Sequence, residues 1–266
     1  MSIKLSFSLL ALRNIKEIES LLKILNKEKI KYIEIPISKF LPEYNIDIAK
    51  IYSLKKLLEK YEIKISSVQA IFFKKNLNIF NLKQKKQTII HLNKIINICE
   101  ILDIKNIIFG SPKNRFKNKL HINYANRLFK ELLSKISKKL KDKKINFCIE
   151  PNARFYGCDF INNVDEALVF VKYAKLSNIF INFDTGNSIL ENEKINILKN
   201  DLKYFRNFQI SEKKLQQLSS NPKIHINILK KFKLDNRYLS LEMLNIDLNK
   251  IQKNIKKLKL ISKQLN

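Results

Sequence analysis

Apolar residues follow two alternating patterns along this chain. Short runs dense in Ile, Phe and Val predict strands at 3–8, 31–36, 65–71, 106–110, 145–150, 179–184, 205–210 and 237–242. Amphipathic stretches between them predict helices at 15–27, 46–61, 82–102, 122–141, 163–175 and 246–263. In the third of these, Ile89, Leu92, Ile95, Ile96 and Cys99 recur at i, i+3, i+4 spacing, which paints one apolar face with Lys and Asn opposite. The strand runs lack strict polar alternation, as expected of a parallel sheet covered on both faces. Eight strand–helix units in 266 residues predict an α/β chain folded as one (β/α)8 barrel domain over 1–266. After the seventh strand Asn221-Pro222 breaks the helical pattern, and Ile224 to Phe232 predicts a second short helix.

Three of the predicted strands end on a carboxylate, at Glu150, Asp184 and Glu242, and a fourth ends on the amide of Gln209. A charge at the end of an apolar strand is costly unless it is paired, ligated or set at a polar mouth. In a barrel these ends meet at one face, where active sites of this fold lie. Alternation along each strand turns Cys148, Asn182, Asn207 and Ser240 the same way, giving a small polar floor beneath the four ends. Three carboxylates and an amide oxygen form an all-oxygen donor set that favours Mg2+ or Mn2+ over Zn2+. The competing interpretation is that each acid caps the helix that follows it. Glu34 and Gln69 also point toward the mouth by alternation, either as substrate contacts or as polar residues bonded to a neighbouring strand. Gly110, Gly157 and Gly186 all fall just past strand ends, in the loops that would form this face.

Composition narrows the function classes. Hydrophobic residues make up 45% of the chain, enough for a substantial core. No apolar run is long enough to span a membrane. The first residues alternate like a strand and lack the layout of a signal peptide, and Cys99, Cys148 and Cys158 have no metal-ligand spacing, so a cytoplasmic protein with reduced thiols is expected. The formal charge of +28 comes almost wholly from lysines spread over every predicted helix. Clustered arginines with interleaved aromatics are missing, so a solvated lysine coat is expected and not specific nucleic-acid binding. A homo-oligomer is compatible with this pattern.

Several segments taken in order resemble the xylose-isomerase-like TIM barrels that include sugar phosphate isomerases and epimerases. They are Ile108-Phe109-Gly110-Ser111-Pro112-Lys113-Asn114-Arg115, Ile149-Glu150-Pro151-Asn152, Asp184-Thr185-Gly186-Asn187, Ile210-Ser211-Glu212 and Ser240-Leu241-Glu242-Met243. The resemblance implies a divalent metal on Glu150, Asp184, Glu242 and the strand-seven position, where relatives carry histidine and this chain carries Gln209. It implies a proton shift next to a carbonyl, through an enediolate, with Glu150 and Glu242 as the catalytic pair. The substrate would be a sugar, a sugar phosphate or a related hydroxy-carbonyl compound. Lys113 and Arg115 would hold a phosphate or carboxylate on it, and Arg154, Tyr156, Asp159 and Asn187 would be further contacts. Gln209 also admits a second expectation, a barrel that binds a sugar-like ligand without turnover because the metal site has decayed. The apurinic-site endonucleases of the same superfamily carry a histidine-rich three-zinc site. This chain has only His91, His121 and His225, none at a strand end, so that activity is not expected. His91 belongs to a helix face and is expected to be structural.

Overall fold

The structure, a computed structural model, describes residues 3–219 and 221–265. Its strands are β1 (Lys4–Ser8), β2 (Tyr32–Pro36), β3 (Lys64–Gln69), β4 (Asn106–Phe109), β5 (Asn146–Ile149), β6 (Ile179–Asp184), β7 (Phe205–Ile210) and β8 (Tyr238–Leu241). All pair in parallel, and the sheet closes in chain order with β8 returning to β1. Each strand falls on one of the apolar runs, with ends shifted by a residue or two.

The helices are α1 (Ile18–Lys27), α2 (Ile37–Phe40), α3 (Ile48–Lys60), α4 (Lys85–Ile101), α5 (Ile122–Asp142), α6 (Val164–Ala174), α7 (Thr185–Leu190), α8 (Lys223–Leu229) and α9 (Leu248–Leu265). Short α2 and α7 are not foreshadowed by periodicity, because each has too few turns to display it. Gly186, expected in a loop, therefore lies in the first turn of α7. None of the described helices is long and apolar enough to cross a membrane.

The outer layer is held as its pattern dictates. Helix α5 buries Ala125, Leu128, Phe129, Leu132, Leu133, Ile136 and Leu140 along one stripe. Phe129 stacks on Phe170 of α6 at 4.8 Å between ring centroids and meets Phe109 of β4 at 5.6 Å. Burial of each such ring contributes about 1.5–3 kcal/mol. Helix α6 starts at Asn163, whose Oδ1 accepts from the Glu166 amide at 2.9 Å, a cap that satisfies one of its orphan donors.

The barrel interior departs from the branched apolar layers usual in this fold. Ile108, Cys148 and Phe180 form a small apolar cluster there, separate from the main core. Around them runs a ladder of polar side chains. Ser6 Oγ lies 2.8 Å from Ser66 Oγ, and the Gln69 amide donates to Ser8 Oγ at 2.6 Å. The pairing register shifts at Ile33/Glu34 on β2 and at Ile181/Asn182 on β6, next to two of the polar residues that build the mouth. Irregularities of this kind re-aim side chains near functional sites.

Candidate active site

A cavity of about 200 Å³ opens at the C-terminal ends of the strands, lined by Gln69, Glu150, Tyr156, Asp184, Asn187 and Glu242 among others. An apolar groove of about 540 Å³ lies elsewhere, against α2 and α3, and no acid lines it. A cavity of about 210 Å³ beside α6 is lined by Arg154, Asp165, Glu191 and Glu193, but only the strand-end cavity gathers the acids that end β5, β6 and β8.

Glu150 follows β5 and is almost fully buried. Its Oε1 accepts from Asn152 Nδ2 at 2.8 Å and Asn187 Nδ2 at 3.0 Å, and Asn182 Nδ2 lies 3.3 Å from Oε2. Asp184 ends β6 and caps α7. Its carboxylate accepts from the Gly186 and Asn187 amides at 3.2 Å each, from Asn187 Nδ2 at 2.9 Å and from Ser211 Oγ at 2.8–2.9 Å. The capping interpretation of that acid thus holds together with its place in the cavity. Gly186 makes this arrangement possible: a Cβ there would stand 2.2 Å from Ser211 Oγ and 2.7 Å from Ser211 O. A Cβ on Gly110 would similarly crowd Glu150 Oε2, at 3.1 Å.

Below the cavity, Glu34 of β2 is fully buried and accepts from Ser67 Oγ at 2.6 Å, Gln69 Nε2 at 2.8 Å and Gln209 Nε2 at 2.6 Å. Burial is the main reason the carboxyls of Glu34, Glu150, Asp184 and Glu242 are all pushed above their ordinary range. Mutual repulsion adds to this for Glu34, Glu150 and Glu242, while Arg115 and Asn152 oppose it at Glu150.

The expected site residues separate into two groups. Glu150, Asp184, Glu242, Gln69, Asn187 and Tyr156 share the cavity. Gln209 does not line it: the side chain is fully buried, with its amide nitrogen on Glu34 and its oxygen 2.5 Å from Asn182 Nδ2. Arg115 is likewise fully buried, and its Nη2 donates to the Glu150 carbonyl at 2.5 Å and to Asn152 Oδ1 at 2.8 Å. It positions the Glu150 segment, and a substrate phosphate would have to reach a guanidinium that the surface does not expose. Arg154 faces outward, paired with Glu191 and, at 3.5 Å, with Glu166. Lys113 is exposed on the turn Pro112–Arg115, next to Ser111 and Pro112, which do line the cavity. Asp159 accepts from the Lys117 amide at 2.6 Å and so ties two loops together.

His91 is structural, with Nε2 2.6 Å from the Ile71 carbonyl. His121 caps α5 through its own ring. His225 of α8 is fully buried with Nδ1 2.9 Å from Thr185 Oγ1 and Nε2 3.2 Å from Glu212 Oε1. It links the start of α7, which carries Asp184 as its cap, to the segment after β7. Sequence reasoning gave no role to His225, Ser211 or Asn152. The signal available was their place in short segments after strands five to eight.

The donor set does not fit a four-ligand cation site. Gln209 has both ends of its amide committed below the cavity, and the Asp184 carboxylate already faces four donors, the Gly186 and Asn187 amides, Asn187 Nδ2 and Ser211 Oγ, about as many as its lone pairs accept. Among the described residues, no three His, Cys, Asp or Glu side chains are grouped so as to hold a metal ion.

The family model described as xylose isomerase-like TIM barrel matches residues 22–259, and the chain belongs to that family. No curated protein matches it by sequence. Among solved structures it is similar to D-allulose 3-epimerase from Methylomonas sp. in complex with D-allulose, at 15% identity and a TM-score of 0.75, over 99% of this chain and 97% of that one. It is similar to AP endonuclease, family 2 from Brucella melitensis, at 13% identity and a TM-score of 0.77, over 97% and 98%. It is also similar to the IOLI protein with a binding zinc atom, at 17% identity and a TM-score of 0.70, over 99% and 98%. Identities this low speak for the fold; the site must argue for itself.

Proposed function

We propose that the protein is an isomerase or epimerase of a sugar or related hydroxy-carbonyl compound, with Glu150 and Glu242 as its proton-transfer pair. The observation that supports this is their shared position on one small cavity, both buried and both titrating above the ordinary carboxylate range. A carboxyl tuned toward neutral pH is matched to moving a proton on and off carbon. One carboxylate takes the proton from the carbon beside the carbonyl, and the electron pair moves onto the carbonyl oxygen to give an enediolate. The other carboxylic acid returns a proton, either to the opposite face of the same carbon or to its neighbour after the hydroxyl proton has shifted. Gln69, Asn187 and Tyr156 line the same cavity and would orient the hydroxyls of the substrate. Glu34 acts from beneath, through Gln69. Lys113, exposed at the rim, is the proposed contact for an anionic group if the substrate carries one.

The substrate class follows the relative solved with D-allulose, a ketose. Mg2+ or Mn2+ on Glu150, Asp184, Gln209 and Glu242 is what the family resemblance implies, and a bound cation would polarise the carbonyl and the adjacent hydroxyl. The side chains as arranged do not fit that set, and the proton transfers are assigned to Glu150 and Glu242 alone.

The test is incubation of the purified chain with a panel of ketoses and aldoses in deuterated water, followed by NMR. Deuterium should enter beside the carbonyl of at least one sugar, and Glu150→Gln should abolish it. A second reading, a barrel that binds a sugar without turnover, is favoured by the commitment of Gln209 to Glu34 and Asn182. Saturable sugar binding with no exchange for any sugar in the panel would select it.

A further inference from the structure

The amides of the barrel form a one-way chain. Asn207 Nδ2 donates to Asn182 Oδ1 at 2.8 Å, Asn182 Nδ2 to Gln209 Oε1 at 2.5 Å, and Gln209 Nε2 to Glu34 Oε1 at 2.6 Å. Glu34 takes donors from Ser67, Gln69 and Gln209, and this bonding holds Gln209 with its nitrogen on Glu34 and its oxygen on Asn182, whose own oxygen takes Asn207. Turning Gln209 to free its oxygen would break two of these bonds at once. A second lock sits at the mouth. Asn187 Oδ1 accepts from the Ala153 amide at 2.9 Å, which holds Asn187 Nδ2 between Glu150 Oε1 and Asp184 Oδ2. The positive end of an amide thus occupies the gap between the two carboxylates that a cation would have to bridge.

We propose that this barrel works without a resident metal, its mouth carboxylates held by hydrogen bonds from side-chain amides, with Gln209–Glu34 and Asn187–Ala153 as the two locks. The proposal rests on the isomerase reading only for what the site turns over; the locks themselves are independent of it. An imidazole at position 209 would differ in one decisive way. It could donate one N–H to Glu34 and still present its second nitrogen to a metal, whereas the amide oxygen is taken by Asn182.

The experiment uses the full chain. Metal content is measured after purification, Mn2+ is titrated by calorimetry, and melting is followed with and without EDTA. The parent protein should carry substoichiometric metal, give no binding heat with Mn2+, and melt at the same temperature in EDTA. Gln209→His combined with Asn187→Ala should produce a saturable Mn2+ binding heat that the parent lacks. Stoichiometric metal in the parent, with a melting temperature that EDTA lowers, overturns the proposal whether or not the double variant folds. Deuterium exchange separates the two readings. Exchange that persists in EDTA supports the metal-free site, and a metal-free protein without exchange keeps this inference while removing the isomerase reading.

Discussion

Gln209 Nε2 reaches Glu34 Oε1 at 2.6 Å from 175 residues away, joining β7 to β2 through the barrel interior. Glu34 therefore receives three donors, from Ser67, Gln69 and Gln209. An amide in its place can keep them all, because one oxygen accepts from both glutamines while its NH2 donates to Ser67 Oγ. Glu34→Gln should fold, and it should melt higher than the parent at pH 8, where the buried charge of Glu34 is costly. Glu34→Ala leaves the donors of Gln69 and Gln209 unpaired and should destabilise by about 1–3 kcal/mol. Denaturant unfolding of the two variants side by side checks the pair; a loss of equal size in both would refute the bonding scheme.

The pH dependence of stability should carry a separate signature from Glu193. Burial pushes this carboxyl up to about 7, and the nearby acids Asp165, Glu191 and Glu166 add to the effect against an opposing bond from the Val164 amide. The folded state then binds a proton that the unfolded state, titrating near 4.5, does not. Stability from this group is complete below that lower value and is lost as pH rises through about 7. Glu193→Gln should flatten the decline measured by calorimetry between those limits, without touching the mouth.

His225 should matter beyond packing. With Nε2 facing the Glu212 carboxylate, the ring donates there and accepts the Thr185 hydroxyl at Nδ1. His225→Leu removes the partner of Thr185 Oγ1 and leaves Glu212 with the Ser219 amide, and should cost about 1–3 kcal/mol. The hydrogen bond from His225 also holds the Glu212 carboxyl below its ordinary range, so its stabilisation is present above pH 4.5 and lost as pH falls through the depressed value. In His225→Leu the unfolding free energy should fall less steeply on the acid side. Because Thr185 adjoins Asp184, turnover should drop more than substrate affinity.

The barrel is legible in the chain because strand runs and helix stripes are local patterns. The acids at 150, 184 and 242 are legible for the same reason: topology alone brings strand ends together. Orientation is a different matter. Nothing local to Asn207-Phe208-Gln209 says that its amide will be claimed by Glu34 and Asn182, since those partners come from β2 and β6. Arg115 fails in the same way. A basic residue in a strand-end loop suggests an anion contact, yet Ser111 turns the loop through a left-handed conformation at φ 47° and Arg115 goes inward to the Glu150 carbonyl.

Gly186→Ala tests how tightly Asp184 is held. The added methyl cannot coexist with Ser211 Oγ and its carbonyl, so the segment after β7 must retreat. The variant should lose the Ser211–Asp184 bonds and about 1–3 kcal/mol of stability. Adding Ser211→Gly should restore part of it, because the side chain in conflict is gone. Thermal melts of the single and double variants decide the matter, and additive losses would argue against the contact.

The two proton-transfer acids should not be equivalent. Glu150 takes hydrogen bonds from Asn152 and Asn187 and feels Arg115, all of which favour its ionised form. Glu242, pushed up by burial first, has only the help of Gln69 against the repulsion of Glu150, Glu34 and Asp184. Glu150 is therefore assigned as the base, its ionised form growing as pH rises toward about 8, and Glu242 as the acid. Glu150→Gln should reduce exchange from the substrate by about 10²–10⁴-fold. Glu242→Gln should leave proton abstraction by Glu150 intact, so the starting sugar still picks up deuterium while formation of the product falls by a similar factor. NMR separates the two quantities in one experiment, because the labelled starting sugar and the product give distinct signals. Equal loss of exchange and conversion in both variants would mean that proton abstraction needs both acids, and the division of labour between Glu150 and Glu242 would have to be withdrawn.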